Sequence, residues 1–284
     1  MRRDGLGGAD PAMTKWEKDR RYERHHAVPT PIIECLSGSG FASDTLPGGD
    51  PAGAGRFARD VTVDQLTIQV DASHSVSGLL QVPGRAFACM VLAHGAGAGM
   101  THRFMAAVAD GLAARGVATL RFQFPYMEAG SKRPDRPPLA HATVRAAVAS
   151  ATRLTANLPL FAGGKSFGAR MTSQAQAEAP LPGVRGLTFF GFPLHPASKP
   201  SDERGRHLAD VKVPMLFVQG TKDALADTKL LVPMVQALGV GATLKLIEAA
   251  DHSFHVPVRS GRTDEQVLVE VLDDVASWVR VNQD

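Results

Sequence analysis

From Val61 onward the apolar residues follow two alternating rhythms. Val61 to Val70 and Val76 to Val82 read as two strands joined by the polar turn Asp71-Ala72-Ser73-His74-Ser75, an antiparallel opening pair. Phe87 to Ala93 is a continuous apolar run, the pattern of a strand covered on both faces. Thr101 is then placed to cap a helix in which Phe104, Met105, Val108, Ala109 and Leu112 recur at helical spacing, and Gly116 ends it. The alternation continues with a strand at Val117 to Phe122, a helix over about Ala140 to Leu154 and a strand at Leu158 to Ala162. A helix over Phe167 to Glu178, a strand at Val184 to Phe190 and a strand at Met215 to Gln219 follow. A helix near Asp227 to Leu238 and a strand at Thr243 to Ile247 precede the last helix, Asp264 to Val281. On that helix Leu268, Val271, Leu272, Val275 and Val279 share a face. Strands separated by helices imply right-handed crossovers and an α/β fold: one mostly parallel central sheet with helices on both faces.

The first 58 residues lack this rhythm. Nine of the 28 glycines and five of the 19 prolines fall within residues 1–55, with little apolar periodicity. Such a segment buries too little surface to offset the entropy of ordering it, so 1–58 reads as a loosely held extension and 59–284 as one domain. The mixed charge run Lys15 to Arg24 reads as a solvated stretch. No apolar run approaches the ~18 residues of a membrane span, and no leader is expected. With 31 basic and 28 acidic residues the chain has no general basic field, so no nucleic-acid or membrane partner is expected. Two cysteines, Cys35 and Cys89, are too few for a disulfide scaffold and point to the cytoplasm.

The candidate chemistry gathers at strand ends, where open α/β sheets place ligands. Gly164-Lys165-Ser166-Phe167-Gly168 is G-x-S-x-G between a strand and a helix, a turn tight enough to strain the serine and expose its hydroxyl. Gly164-Lys165-Ser166 also resembles the end of a phosphate-binding loop, but that motif's first glycine would fall at Pro159, so the cradle cannot be completed. The loop His94-Gly95-Ala96-Gly97-Ala98-Gly99 follows the strand ending at Ala93. Acyl transfer needs two backbone N–H donors aimed at the developing oxyanion, and Ala96 and Phe167 occupy the two places that supply them. A serine hydroxyl needs an imidazole base oriented by a carboxylate, and in this arrangement the order along the chain is serine, acid, histidine. Asp223 and His252 lie on successive strand-end loops in that order, with Asp227 and His255 as the rivals.

These residues carry a family resemblance. His94-Gly95-Ala96-Gly97, Gly164 to Arg170, Gln219-Gly220-Thr221-Lys222-Asp223 and Ala250 to Phe254 resemble an α/β-hydrolase. Together with Phe122 to Glu128 and Arg133 to Pro138, they are similar to the dienelactone-hydrolase-like branch. That branch includes the testis-expressed hydrolase-like proteins and the hydrolase-like domain of a nonspecific-lethal chromatin complex subunit. Over roughly residues 60–284 the resemblance implies a serine-hydrolase fold with Ser166, Asp223 and His252 at the triad positions. It equally allows a non-catalytic binding or scaffold protein.

Without a long insertion between Gly191 and Val213, little or no lid is expected, which suits a small-molecule substrate. Lys132, Arg133 and Lys165 are near the expected site, and Lys165 and Arg133 are candidates to bind an anionic acyl group. The histidines lack a paired H-E-x-x-H pattern, so neither metal nor cofactor is expected. The reading is a serine hydrolase acting on an ester, lactone or thioester.

Overall fold

The computed structural model describes residues 61–284. The extension expected over 1–58, with its charge run, lies outside the described residues. Eight strands form one sheet: β1 (Val61–Gln69), β2 (Ser75–Pro83), β3 (Ala88–Ala93), β4 (Val117–Phe122), β5 (Leu160–Lys165), β6 (Val184–Phe190), β7 (Met215–Gly220) and β8 (Ala242–Ile247). Their order is β1-β2-β4-β3-β5-β6-β7-β8, with β1 and β2 antiparallel and every pair from β4 to β8 parallel. The helices are α1 (Arg103–Ala113), α2 (Pro125–Glu128), α3 (Pro137–Leu154), α4 (Phe167–Glu178), α5 (Thr228–Ala237) and α6 (Asp264–Val281).

Strand β3 shows why the sheet is covered on both sides. Its residues alternate between two cores, as a period of two requires. Cys89, Val91 and Ala93 face a core shared with α3 and α4, through Val144, Val148, Ala169 and Met171. Ala88, Met90 and Leu92 face a second core shared with α1 and α6, through Met105, Leu112, Val271 and Val275. All six residues of β3 are buried, so the strand reads as an unbroken apolar run. The edge hairpin contrasts with it: most of β1 is exposed.

Several boundaries depart from the sequence reading. The cap of α1 is His102, not Thr101; its ring Nδ1 accepts the Phe104 N–H at 3.2 Å. Helix α3 starts at Pro137, before Ala140, because proline suits a first helical turn whose N–H has no partner to lose. Helix α2 was not anticipated; it opens on Pro125, and the Glu128 carboxylate at its end accepts the Ser77 N–H at 2.6 Å. Strand β5 continues to Lys165 instead of ending at Ala162, carrying two glycines into the middle of the sheet. The cap of α6 is a reciprocal one, with Thr263 and Gln266 each bonding the other's backbone.

Between β3 and β5 the direction of strand addition reverses: the chain leaves β3 toward β4 and returns to place β5 on the other side. Loops leaving the two strands diverge there and open a crevice at their carboxyl ends. The last register pair across it is Ala93 with Gly164, immediately before His94 and two residues before Ser166.

Candidate active site

Ser166 occupies the turn between β5 and α4 with φ 52° and ψ −111°, a conformation that L residues avoid and that costs roughly 1–3 kcal/mol. Its N–H bonds the Phe190 carbonyl of β6 at 3.2 Å, and its carbonyl accepts the Arg170 N–H at 3.1 Å. The turn fits only because its neighbours are glycine. A Cβ on Gly164 would lie 2.2 Å from the Ala93 carbonyl oxygen, and one on Gly168 would lie 2.3 Å from the same atom. Strand β3 and the start of α4 therefore meet backbone to backbone, which leaves the serine side chain standing at the crevice.

Ser166 Oγ lies 2.8 Å from His252 Nε2. On the other side of the ring, His252 Nδ1 lies 2.6 Å from Asp223 Oδ2. The Asp223 side chain is fully buried and accepts two further bonds, from Gln219 Nε2 at 2.5 Å and from the Leu225 N–H at 2.8 Å. A carboxylate held by three donors orients the imidazole with Nδ1–H toward it, which leaves Nε2 as the acceptor facing the serine. His252 is held below the ordinary imidazole value by burial and by the neighbouring Lys165 ammonium, against the opposing pull of Asp223 and Asp251. Around neutral pH it is therefore a neutral base.

The rivals are engaged elsewhere. Asp227 caps α5, accepting the Lys229 N–H at 2.9 Å, and its own N–H donates to His195 Nε2 at 2.8 Å. His255 pairs with Asp264 at 2.8 Å on the exposed side of its loop. That loop is cross-tied to the acid loop. The Ala249 N–H bonds Thr221 Oγ1 at 2.9 Å, and the Lys222 N–H bonds the Ala250 carbonyl at 2.9 Å. Ala249 and Phe254 bracket His252 with positive φ, conformations maintained only where surrounding contacts over-determine them.

Opposite the serine, the loop after β3 is pinned at most of its amides. The Gly97 N–H donates to the Tyr126 hydroxyl at 3.0 Å, the Ala98 N–H to the Gly95 carbonyl at 3.3 Å, and the Met100 N–H to Gln123 Oε1 at 2.8 Å. Among the described residues no hydrogen bond engages the N–H of Ala96 or that of Phe167, the first residue of α4. Gly95 brings this loop against the nucleophile, since a Cβ built on it would sit 3.8 Å from Ser166 Cβ. The loop that carries the Ala96 N–H thus reaches the serine turn, whose next N–H is that of Phe167.

Sequence reasoning missed two buried polar residues that brace this arrangement. His94 is fully buried; Nδ1–H donates to the Gly95 carbonyl at 2.8 Å and Nε2 accepts the Phe124 N–H at 3.1 Å. Burial holds it at about 4, so it is a neutral strut. Gln219, also fully buried, links Asp223 to the chain after β6, its Oε1 accepting the Phe192 N–H at 2.8 Å. Both residues lie in the motifs named above, but each also bonds a segment remote in sequence, Phe124 for His94 and Phe192 for Gln219. Of the two candidate anion-binding cations, Arg133 is exposed on the loop between α2 and α3, its N–H bonded to Ser131 Oγ at 3.1 Å. Lys165 turns inward: its ammonium bonds the His252 carbonyl and lies beside the stacked rings of Phe104 and Phe254.

The fold and the crevice are those of an α/β hydrolase. Residues 86–280 match the family model described as an alpha/beta hydrolase domain, and the chain belongs to that family. Among solved structures it is similar to a dienelactone hydrolase from Anabaena variabilis, with TM-score 0.63, 21% identity, and coverage of 79% of this chain and 99% of that one. A lidless α/β serine hydrolase from Xanthomonas campestris gives TM-score 0.60 at 18% identity, covering 77% of this chain and 94% of that one. A cold-adapted esterase from an Arctic intertidal metagenomic library gives 0.56 at 18%, covering 79% and 95%. At these identities the likeness shows the fold alone. Here, too, the chain between β6 and β7 holds only a short 3-10 helix, Glu203–Asp210, where a lid would be inserted. No helix among the described residues is long and apolar enough to cross a membrane.

Proposed function

We propose that this protein is a serine hydrolase that cleaves a small carboxylic ester, lactone or thioester through an acyl-enzyme. The observation that carries the reading is the unbroken chain of bonds from Ser166 Oγ through His252 to Asp223. His252 Nε2 takes the hydroxyl proton as Ser166 Oγ bonds to the substrate carbonyl carbon. The oxyanion that forms is received by the Ala96 and Phe167 N–H groups, and Asp223 stabilises the imidazolium. The imidazolium gives its proton to the leaving alkoxide or thiolate, which departs as an alcohol or thiol as the carbonyl re-forms. Water, deprotonated by the same nitrogen, then releases the acyl group as a carboxylic acid and returns the proton to Ser166.

The dienelactone-hydrolase-like branch fits the lidless crevice and its motifs. Arg133 remains the candidate contact for an anionic acyl group, the more so because the Lys165 ammonium is occupied. The buried free thiol of Cys89, pushed up to about 11 by burial, suits a reducing cytoplasmic setting. The test is hydrolysis of p-nitrophenyl acetate and butyrate by the wild type and Ser166→Ala. The expected result is turnover in the wild type and a loss of roughly 10³-fold or more in the variant. Equal rates in the two proteins would overturn the reading, and absence of turnover in both would favour a binding or scaffold role.

A further inference from the structure

Lys165 is the charged residue of the serine turn, and the mechanism above leaves its side chain unused. A lysine directly before a nucleophile at a strand end would ordinarily extend to water, since its rotamer entropy and its hydration both favour exposure. Here it does neither. The ammonium donates to the backbone carbonyl of His252. It sits 5.1 Å from the centre of the Phe254 ring and 5.7 Å from that of Phe104, and these two rings stack on each other at 5.8 Å and 7°. It also meets Gly191, where a Cβ would lie 2.7 Å from Nζ, and the residue as a whole is partly buried. Four segments therefore converge on one charge: the serine turn, α1 through Phe104, the histidine loop through His252 and Phe254, and the chain after β6 through Gly191.

We propose that Lys165 is a positioning residue, tying the histidine loop to the serine turn through the His252 carbonyl and placing a positive charge beside the imidazole. The proposal rests on Ser166 and His252 being the reactive pair, and it deepens that reading by naming what holds them in register. Residue 165 is bonded covalently to the nucleophile, and its ammonium bonds the peptide that carries the base. The serine–imidazole distance is thus fixed by one side chain as well as by the loop itself. The other charged groups that face Lys165 and His252 are Asp223 and Asp251. Burial lowers the Lys165 ammonium to about 8, with Asp223 and Asp251 pulling the other way, so the charge is present at neutral pH. A cation there opposes protonation of His252, which favours the neutral base.

The experiment is a proton NMR titration of the His252 ring, assigned by comparison with His252→Gln, in the wild type, Lys165→Met and Lys165→Arg. Each protein is also followed for its rate of labelling by a fluorophosphonate. Methionine keeps an unbranched stem beside the two rings and removes the charge; arginine keeps the charge. Lys165→Met is expected to raise the His252 pKa by about one unit and to slow labelling about tenfold, while Lys165→Arg stays within about half a unit of the wild type. If Lys165→Met does not fold, Lys165→Gln takes its place with the same expected shift. A His252 titration unchanged by loss of the charge, or moved equally by methionine and arginine, overturns the proposal. The titration needs no turnover. A wild type that is never labelled would therefore count against the hydrolase reading alone, and the ring titration would still decide the role of Lys165.

Discussion

Replacing His94 with phenylalanine isolates the strut that supports the candidate oxyanion loop. The substitution keeps a planar ring of similar volume among Phe124 and Tyr126, whose rings lie 5.0 and 6.0 Å away. What it removes is a donor to the Gly95 carbonyl and an acceptor for the Phe124 N–H. Each stranded buried group costs about 1–3 kcal/mol, so the variant with two of them should lose about 2–6 kcal/mol. For a domain of this size that corresponds to a fall in Tm of roughly 4–24 °C. His94→Asn keeps a donor near the Nδ1 position and His94→Gln an acceptor near Nε2, so each should lose about half as much. Because only asparagine retains the bond to Gly95, it should also keep more of the esterase activity than glutamine does.

The same histidine predicts a pH signature. Its folded pKa, about 4, lies below the unfolded value of 6.5. The contribution to stability is therefore complete above about pH 6.5 and declines as pH falls toward 4, where the unfolded chain binds a proton that the folded one refuses. Between pH 7.5 and 5 the site should remove about 2 kcal/mol from the wild type and nothing from His94→Phe. His207, also held at about 4 by burial and by Arg170 and His141, is present in both proteins and cancels in the comparison. Urea unfolding at the two pH values measures the difference directly. A variant within about 1 kcal/mol of the wild type at pH 7.5, or one with an unchanged pH dependence, would refute the reasoning.

Three further substitutions probe other parts of the site. Gly168→Ala forces a methyl group onto the Ala93 carbonyl, so soluble yield and Tm should both collapse; a variant that melts within a few degrees of the wild type would show that β3 and α4 can separate. Asp223→Asn should preserve the fold but lower kcat roughly 10³–10⁴-fold, because the amide no longer selects the His252 tautomer that leaves Nε2 free; steady-state kinetics at pH 7.5 would detect it. Gln219→Leu removes one of three donors to Asp223 and should lower kcat about tenfold with KM nearly unchanged. A rise in KM alone would place Gln219 in substrate binding instead.

Strand β3 and helix α6 were readable from sequence because their signals are local: an unbroken buried run in one, a stripe at helical spacing in the other. The serine turn was readable for the same reason, since its glycines and its strand-to-helix setting lie within a few residues. Strand β5 was cut short because Gly163-Gly164 reads as a turn. In the sheet these glycines are needed where the Thr188 and Ala93 carbonyls approach, a demand that neighbouring strands impose. Helix α2 escaped notice because one turn has no periodicity to detect. Asp223 and His252 can be ordered along the chain, and His252 lies closer to its strand end than His255; the partners that occupy the rivals, such as Lys229 for Asp227 and Asp264 for His255, become visible only in the fold. Lys165 shows the limit most clearly. Its charge near the site was legible, but its direction depends on Phe104, Gly191 and His252, each far from it in sequence.

The most direct test of the central claim is to treat the wild type, Ser166→Ala and His252→Gln with a fluorophosphonate and map any adduct by peptide mass spectrometry. The account predicts a single phosphonylated peptide bearing the adduct on Ser166 in the wild type, none in Ser166→Ala, and labelling slowed at least about 100-fold in His252→Gln. An unlabelled wild type, or an adduct that persists in Ser166→Ala, would contradict it.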